Sequence, residues 1–175
     1  MKVSKRGEYA LRALIDLGIA HEAGRPMLRL QEIVTKECIP SAFLEQIFAQ
    51  LRAAGIVDGK RGKNGGYFLK KPADTISMGQ IVRLIDGPLA PIACVSQTKY
   101  ERCTCPDEEH CGLRMLMLDV RNAIAEILDK YTLGQVVEVT LRKLRRDKIS
   151  IPFAVGGAAS ASGSASDFFF ADFSI

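Results

Sequence analysis

The sequence predicts a mainly α-helical fold with one small β-hairpin, on three observations. Apolar residues recur at three- and four-residue steps over much of the first 148 positions, the period of amphipathic helices. The stretch 41–69, SAFLEQIFAQLRAAGIVDGKRGKNGGYFL, breaks that period: a helical pattern stops at Gly55, and two short apolar strands follow around a Gly/Asn turn. From Cys111 a heptad pattern then runs for about 20 residues.

Taken in order, Ser4 is a predicted N-cap, and Tyr9, Ala10, Ala13, Leu14 and Leu17 form the inward face of a first helix ended by Gly24 and Pro26. A short second helix runs from near Leu30 through Ile33 and Val34 to about Cys38, which reads as buried packing at the turn. Pro40 biases Ile39 away from the helical region, so the chain turns before Ser41 opens a third helix. Phe43, Leu44, Ile47, Phe48 and Leu51 share one face, leaving Glu45, Gln46, Gln50 and Arg52 to point elsewhere. Gly55 accepts the left-handed conformation that closes a helix. Ile56-Val57 and Tyr67-Phe68-Leu69 make the hairpin strands. Helix, short helix, sharp turn, helix and hairpin is the winged helix-turn-helix order, with the third helix as candidate reader. A further short helix over 77–86 (Met78, Ile81, Val82, Ile85) completes a DNA-binding domain at 1–86 and stops at Gly87-Pro88.

Residues 87–110 lack periodicity and carry prolines at 88, 91 and 106, so they read as a cysteine-rich loop held by something other than an apolar core. Beyond it, Leu113, Met117, Val120, Ile124, Ile127 and Tyr131 step by 4, 3, 4, 3, 4, the a/d seam of a long dimerisation helix. Such a helix is roughly 30 Å long and spaces two reading heads along one face of a homodimer. A last helix over 133–144 closes the unit 111–150. Residues 151–175, rich in Gly, Ala and Ser and ending DFFFADFSI, read as a flexible tail.

At 175 residues, with 47% hydrophobic and 25% charged residues, the composition is globular. The net charge of +4 is mild, but residues 1–72 hold thirteen Lys/Arg against seven Asp/Glu, so the positive excess sits with the hairpin. A second basic run is Arg142, Lys143, Arg145, Arg146 and Lys148. Arg12 and Asp16 interrupt the apolar stretch 11–20, which predicts neither signal peptide nor membrane span and a cytoplasmic location. In that compartment five cysteines read as thiols rather than structural disulfides. No nucleophile–base pair with motif context and no phosphate loop appears, and neither His21 nor His110 has a recognisable partner pattern, so no enzyme is predicted.

The predicted partner is double-stranded DNA, in which groove edges carry sequence and phosphates carry most of the affinity. A helix in the major groove presents Gln46 to adenine and Glu45 to the cytosine amino group, with Ser41, Gln50 and Arg52 on the same helix. Lys60, Arg61, Gly62 and Lys63 form a cationic hairpin tip, and Arg61 suits a narrow A·T-rich minor groove.

Cys94, Cys103, Cys105 and Cys111 fall within 18 residues, in CVSQTKYERCTCPDEEHC. Thiolates this close on an irregular loop commonly hold an iron–sulfur cluster or zinc. The intervals of eight, one and five residues match neither a zinc finger nor a ferredoxin, so both metals stay open, as do free redox thiols. One metal is awkward for both thiols of Cys-x-Cys, which makes Cys103 and Cys105 alternatives; His110 is a further candidate ligand.

The start MKVSKRGEYALRALIDLG, the helix FLEQIFAQLR, the hairpin RGKNGGYFL and a cysteine loop before a long helix resemble the bacterial IscR/NsrR/RirA/CymR family over about residues 1 to 148. The resemblance implies a dimeric transcriptional regulator, repressor or activator. It also implies DNA affinity controlled by an iron–sulfur cluster, 2Fe–2S ahead of 4Fe–4S, that senses iron–sulfur status, redox or nitric oxide. The CymR branch has no cluster, which leaves a cluster-free or zinc-bound regulator as the alternative, responding through a partner protein or thiol oxidation. By position, Glu45 and Gln46 fall on the family's base readers, Ala42 on a site where a reading serine occurs, and Arg61-Gly62 on the minor-groove pair. Cys94 and Cys111 match the outer cluster ligands and Cys105 the middle one, with Cys103 as an extra cysteine. Arg114 stands where some members place a histidine ligand, and Glu8 where others supply an acidic fourth ligand from the partner's first helix.

Overall fold

The computed structural model describes residues 2–62 and 65–154, in which six helices and a two-stranded antiparallel sheet follow the predicted order. Helix α1 (Lys5–Glu22) is the hub, packing against every other helix of the reading half and the hairpin. The Ser4 hydroxyl accepts from the Gly7 N–H at 3.0 Å, as an N-cap should, and donates to Asp86 Oδ1 at 2.5 Å. Asp86 also accepts from the Ser4 N–H at 2.9 Å, which ties the start of α1 to the end of α4 (Met78–Asp86). Gly7 lies under that carboxylate, where a Cβ has no room.

Helix α2 (Leu30–Glu37) ends at Cys38, which adopts a left-handed φ of 52°. This corrects the sequence reading, because Cys38 is exposed. The turn carries its side chain out to solvent, and Ile39 takes the buried place instead. Helix α3 (Ser41–Ala53) buries Leu44, Ile47, Phe48 and Leu51 completely. Phe43 does not join them and is 52% exposed. The four buried residues already complete an i, i+3, i+4, i+7 stripe, and Phe43 lies about 100° off its leading edge.

Strands β1 (Val57–Lys60) and β2 (Gly66–Leu69) pair with Val57 opposite Leu69 and Lys60 opposite Gly66. Leu28 adds one bridge to the other edge of β2, donating to the Tyr67 carbonyl at 3.0 Å and accepting from its N–H at 2.7 Å. That approach requires Gly66, since a Cβ there would lie 2.6 Å from the Leu28 carbonyl oxygen. The Phe48 and Tyr67 rings meet with centroids 4.3 Å apart, so the hairpin is docked on α3.

Helix α5 (Gly112–Lys130) and helix α6 (Leu133–Arg146) return the chain to the core, where Leu133, Val137 and Leu141 are buried. The junction bonds back to the start of α4: Met78 donates to the Tyr131 carbonyl at 2.9 Å, and Leu133 to the Ile76 carbonyl at 2.8 Å. Arg83 on α4 grips Asp129 on α5 through two bonds of 2.5 and 2.7 Å. Gly79 sits beneath this pair with no space for a Cβ. No helix among the described residues is long and apolar enough to cross a membrane.

Candidate nucleic-acid interface and cysteine loop

With one face of α3 sealed in the core, its remaining face is the reading candidate. Ser41, Glu45, Gln46 and Arg52 are exposed on it. Gln50 is half-buried, and its side-chain carbonyl oxygen is shut from solvent without a partner, so it stands back from the row. Arg52 pairs with Asp58 of β1 at 3.1 Å, bridging helix and hairpin. Asp58 is held below the usual carboxylate range first by the Gly59 N–H and then by Arg52. Ala42 and Phe43 also stand exposed beside Glu45 and Gln46, and Phe43 is the one the sequence had turned inward. The completeness of the 44, 47, 48, 51 stripe without Phe43 was the available signal.

Lys60, Arg61 and Gly62 are exposed at the hairpin tip. Gly62 takes a φ of 111°, which a side chain rarely tolerates, and its carbonyl accepts from the Gly65 N–H at 2.9 Å to close the turn. Lys63 lies outside the described residues.

Behind the reader, an ionic network spans α1 and α2. Glu8, Arg12 and Asp16 line one side of α1 at four-residue steps. Arg12 reaches Glu8 at 3.3 Å, the Glu37 carboxylate at 2.5 Å and the Glu37 carbonyl at 2.8 Å. Lys36 reaches Glu37 at 2.5 Å and bonds Asp16. Burial works against charge on Glu37, yet Lys36 and Arg12 together hold its pKa below the ordinary value. Asp16 is buried, one of its oxygens has no partner, and burial pushes its pKa up to about 6 against the pull of Lys36.

A raised acid pKa means that the folded chain keeps a proton the unfolded chain has released. This group's contribution to stability therefore falls as pH rises from about 4 to about 6. Asp16→Asn should raise the urea midpoint relative to the parent at pH 7.5 and by roughly half as much at pH 5, the gap closing only towards pH 4. An equal gap at both pH values would show that the buried charge is not the cause.

The loop between α4 and α5 makes neighbours of all four thiols. Cys94 is buried in a 3₁₀ turn at Ala93–Val95; burial first, then Cys103 and Glu108, raise its pKa. Cys103 and Cys111 push Cys105 up to about 11. Cys111 caps α5, its sulfur accepting from the Arg114 N–H at 3.4 Å. Arg114 also donates to the Cys94 carbonyl at 3.4 Å and pairs with Glu108 at 3.3 Å, and Tyr100 donates to Glu108 at 2.8 Å. Arg114 thus stitches the loop to α5. His110 is exposed and paired with Asp107 at 2.8 Å. Among the described residues, no three Cys, His, Asp or Glu side chains are already set around a single metal point. The donor chemistry fits an iron–sulfur group: four soft thiols, two of them kept protonated by their surroundings, which a bound metal would deprotonate. Glu8, the other candidate ligand, is an ionised carboxylate paired with Lys5 at 2.8 Å as well as with Arg12.

On α5, Leu113, Leu116, Val120 and Ile127 are exposed in heptad spacing, while Met117, Ile124 and Tyr131 are half-buried. The open apolar face is therefore turned slightly from the predicted seam, because α4 covers the other side.

Residues 3–139 match the Rrf2 family, described as an iron-dependent transcriptional regulator. The chain belongs to the Rrf2 family. An rrf2-like HTH-type transcriptional regulator from Rhodobacter capsulatus is 38% identical over 137 residues, covering 77% of this chain and 91% of that protein. The Bacillus subtilis HTH-type transcriptional regulator CymR is 32% identical over 140 residues, covering 80% and 92%. The solved structure of that CymR, described as a global cysteine regulator, superposes with a TM-score of 0.67 over 79% of this chain and 98% of its own. The T. potens IscR structure is 27% identical with a TM-score of 0.61, covering 86% and 93%. This Rrf2 chain is accordingly a winged-helix transcriptional regulator of CymR/IscR type, a DNA-binding protein rather than an enzyme.

Proposed function

We propose that the chain is a homodimeric regulator whose operator affinity is set by an iron–sulfur cluster on the 94–111 loop. The observation that carries this reading is the gathering of four thiols on a loop stitched to α5, a helix with an open heptad face. Cys94, Cys105 and Cys111 would hold the cluster, with Cys103 or a Glu8 from across the dimer as fourth ligand. Such a cluster supplies an oxidation- and nitric oxide-sensitive state. In this division of labour residues 1–86 read DNA, 87–110 sense and 111–150 pair the subunits.

On the duplex, Glu45 and Gln46 address base edges, Ala42 and Phe43 thymine methyls, Arg61 with Gly62 the minor groove, and Ser41, Lys60 and Lys63 the phosphates. Arg52, tied to Asp58, and the recessed Gln50 support this surface more than they read from it. The likeness to CymR supports a second reading, a cluster-free protein that answers through its thiols or a partner protein.

Operator binding by anaerobically reconstituted and apo protein, over a salt series and alongside iron, sulfide and zinc analysis, tests the proposal. Cluster control predicts affinities that differ by about 5–150-fold. Equal affinities would remove the switch and leave DNA binding standing, while stoichiometric zinc in a colourless protein would favour the zinc-bound form. In the same assay Arg61→Ala should weaken binding most on operators with a narrow A·T-rich minor groove, whereas Lys60→Ala should weaken it on all sequences and flatten the salt slope by about one.

A further inference from the structure

Between α4, the first arm of the cysteine loop and α5 lies a cavity of about 30 Å³, lined by Arg83, Pro88, Leu89, Gln97, Thr98 and Arg121. Arg121 is only 9% exposed, and its Nε is sealed from solvent with no hydrogen-bond partner. The ion pairs of the described residues place no carboxylate on it, whereas Arg83 in the same wall is balanced by Asp129 at 2.5 Å. Among the described residues this nearly buried cation therefore has no ion-pair partner. A guanidinium stays charged when buried, and an uncompensated buried ion is costly. Water would satisfy its hydrogen bonds without offsetting the charge.

We infer that this cavity is a binding site for a compact monovalent anion of the halide or formate class, held by Arg121. The size supports the class, since the space admits one or two water-sized groups and excludes a phosphate ester or nucleotide. The charge supports it too, because a single negative charge neutralises Arg121 without disturbing the Arg83–Asp129 pair. Thr98 and Gln97 add a hydroxyl and an amide as neutral donors at the rim. They follow Cys94 by three and four residues, so an anion here pins the first arm of the cysteine loop to α5.

Bromide is the probe. Crystals of the unaltered protein grown in bromide should show an anomalous peak beside the Arg121 guanidinium. In solution, replacing methanesulfonate with bromide at equal ionic strength should raise Tm by about 2–4 °C. Arg121→Met should abolish that rise and Thr98→Val should reduce it. Should Arg121→Met fail to fold, the unaltered protein and Thr98→Val decide. A cavity holding water alone overturns the proposal, as does an equal bromide response in the parent and Arg121→Met. A peak with no Tm response marks an adventitious ion only and overturns it as well.

Discussion

In the proposed homodimer, Val120→Glu should leave the protein monomeric and lower operator affinity by two or more orders of magnitude. Val120 sits midway along the exposed apolar row of Leu113, Leu116 and Ile127 on α5, a face that no element of the described residues covers. A seam with this spacing is what two helices use to pack knobs into holes. Placing a carboxylate at its centre forces desolvation of a charge, which costs several kcal/mol when no partner is present. The subunit itself should survive, because Val120 lies outside its buried core. Operator affinity falls because two linked heads gain about 10²–10⁴ over one through effective concentration. Light scattering of the variant and an operator titration measure the two effects. A dimer of unchanged affinity would place the interface elsewhere, and α5 would lose its assigned role.

Gly66→Ala should cost about 2 kcal/mol or more and detach the hairpin from the Leu28 segment ahead of α2, reducing DNA binding while leaving cysteine-loop chemistry intact. The new Cβ would sit 2.6 Å from the Leu28 carbonyl oxygen and 2.8 Å from its carbon, and both belong to backbone that cannot rotate away. Relieving the clash breaks the paired Leu28–Tyr67 bonds of 3.0 and 2.7 Å and loosens Tyr67 from Phe48. Overpacking at about 1–3 kcal/mol and lost buried bonds at about 1 kcal/mol each set the magnitude. Gly59→Ala is the control, since its Cβ meets mainly the Tyr67 ring at 3.3 Å, a side chain that can shift. Urea unfolding of both variants, with metal content and operator binding alongside, checks the contrast. Equal stabilities would mean that the Leu28 bridge is not what seats the wing.

The reader helix and hairpin were legible because their determinants are local. The 44, 47, 48, 51 period, the stop at Gly55 and the Gly-rich turn act over a few residues, and each agrees with the next. The cysteines were legible as a cluster through their density, although their spacing named no metal. Phe43 and Cys38 were misplaced for different reasons. Periodicity points a helix face inward without fixing its width, and a left-handed residue at a helix end sends its side chain where no helical period applies.

By itself, then, the sequence determined the element order, the third helix with the cationic hairpin after it and the family, because short-range patterning and turn chemistry specify them. Only the tertiary structure decided the exposed row on α5, the buried Asp16 beside Lys36, the stitching of the thiol loop by Arg114 and the unbalanced charge of Arg121. Each depends on groups far apart in the chain meeting across a packed interior, where burial and pairing, rather than residue type, set exposure and charge.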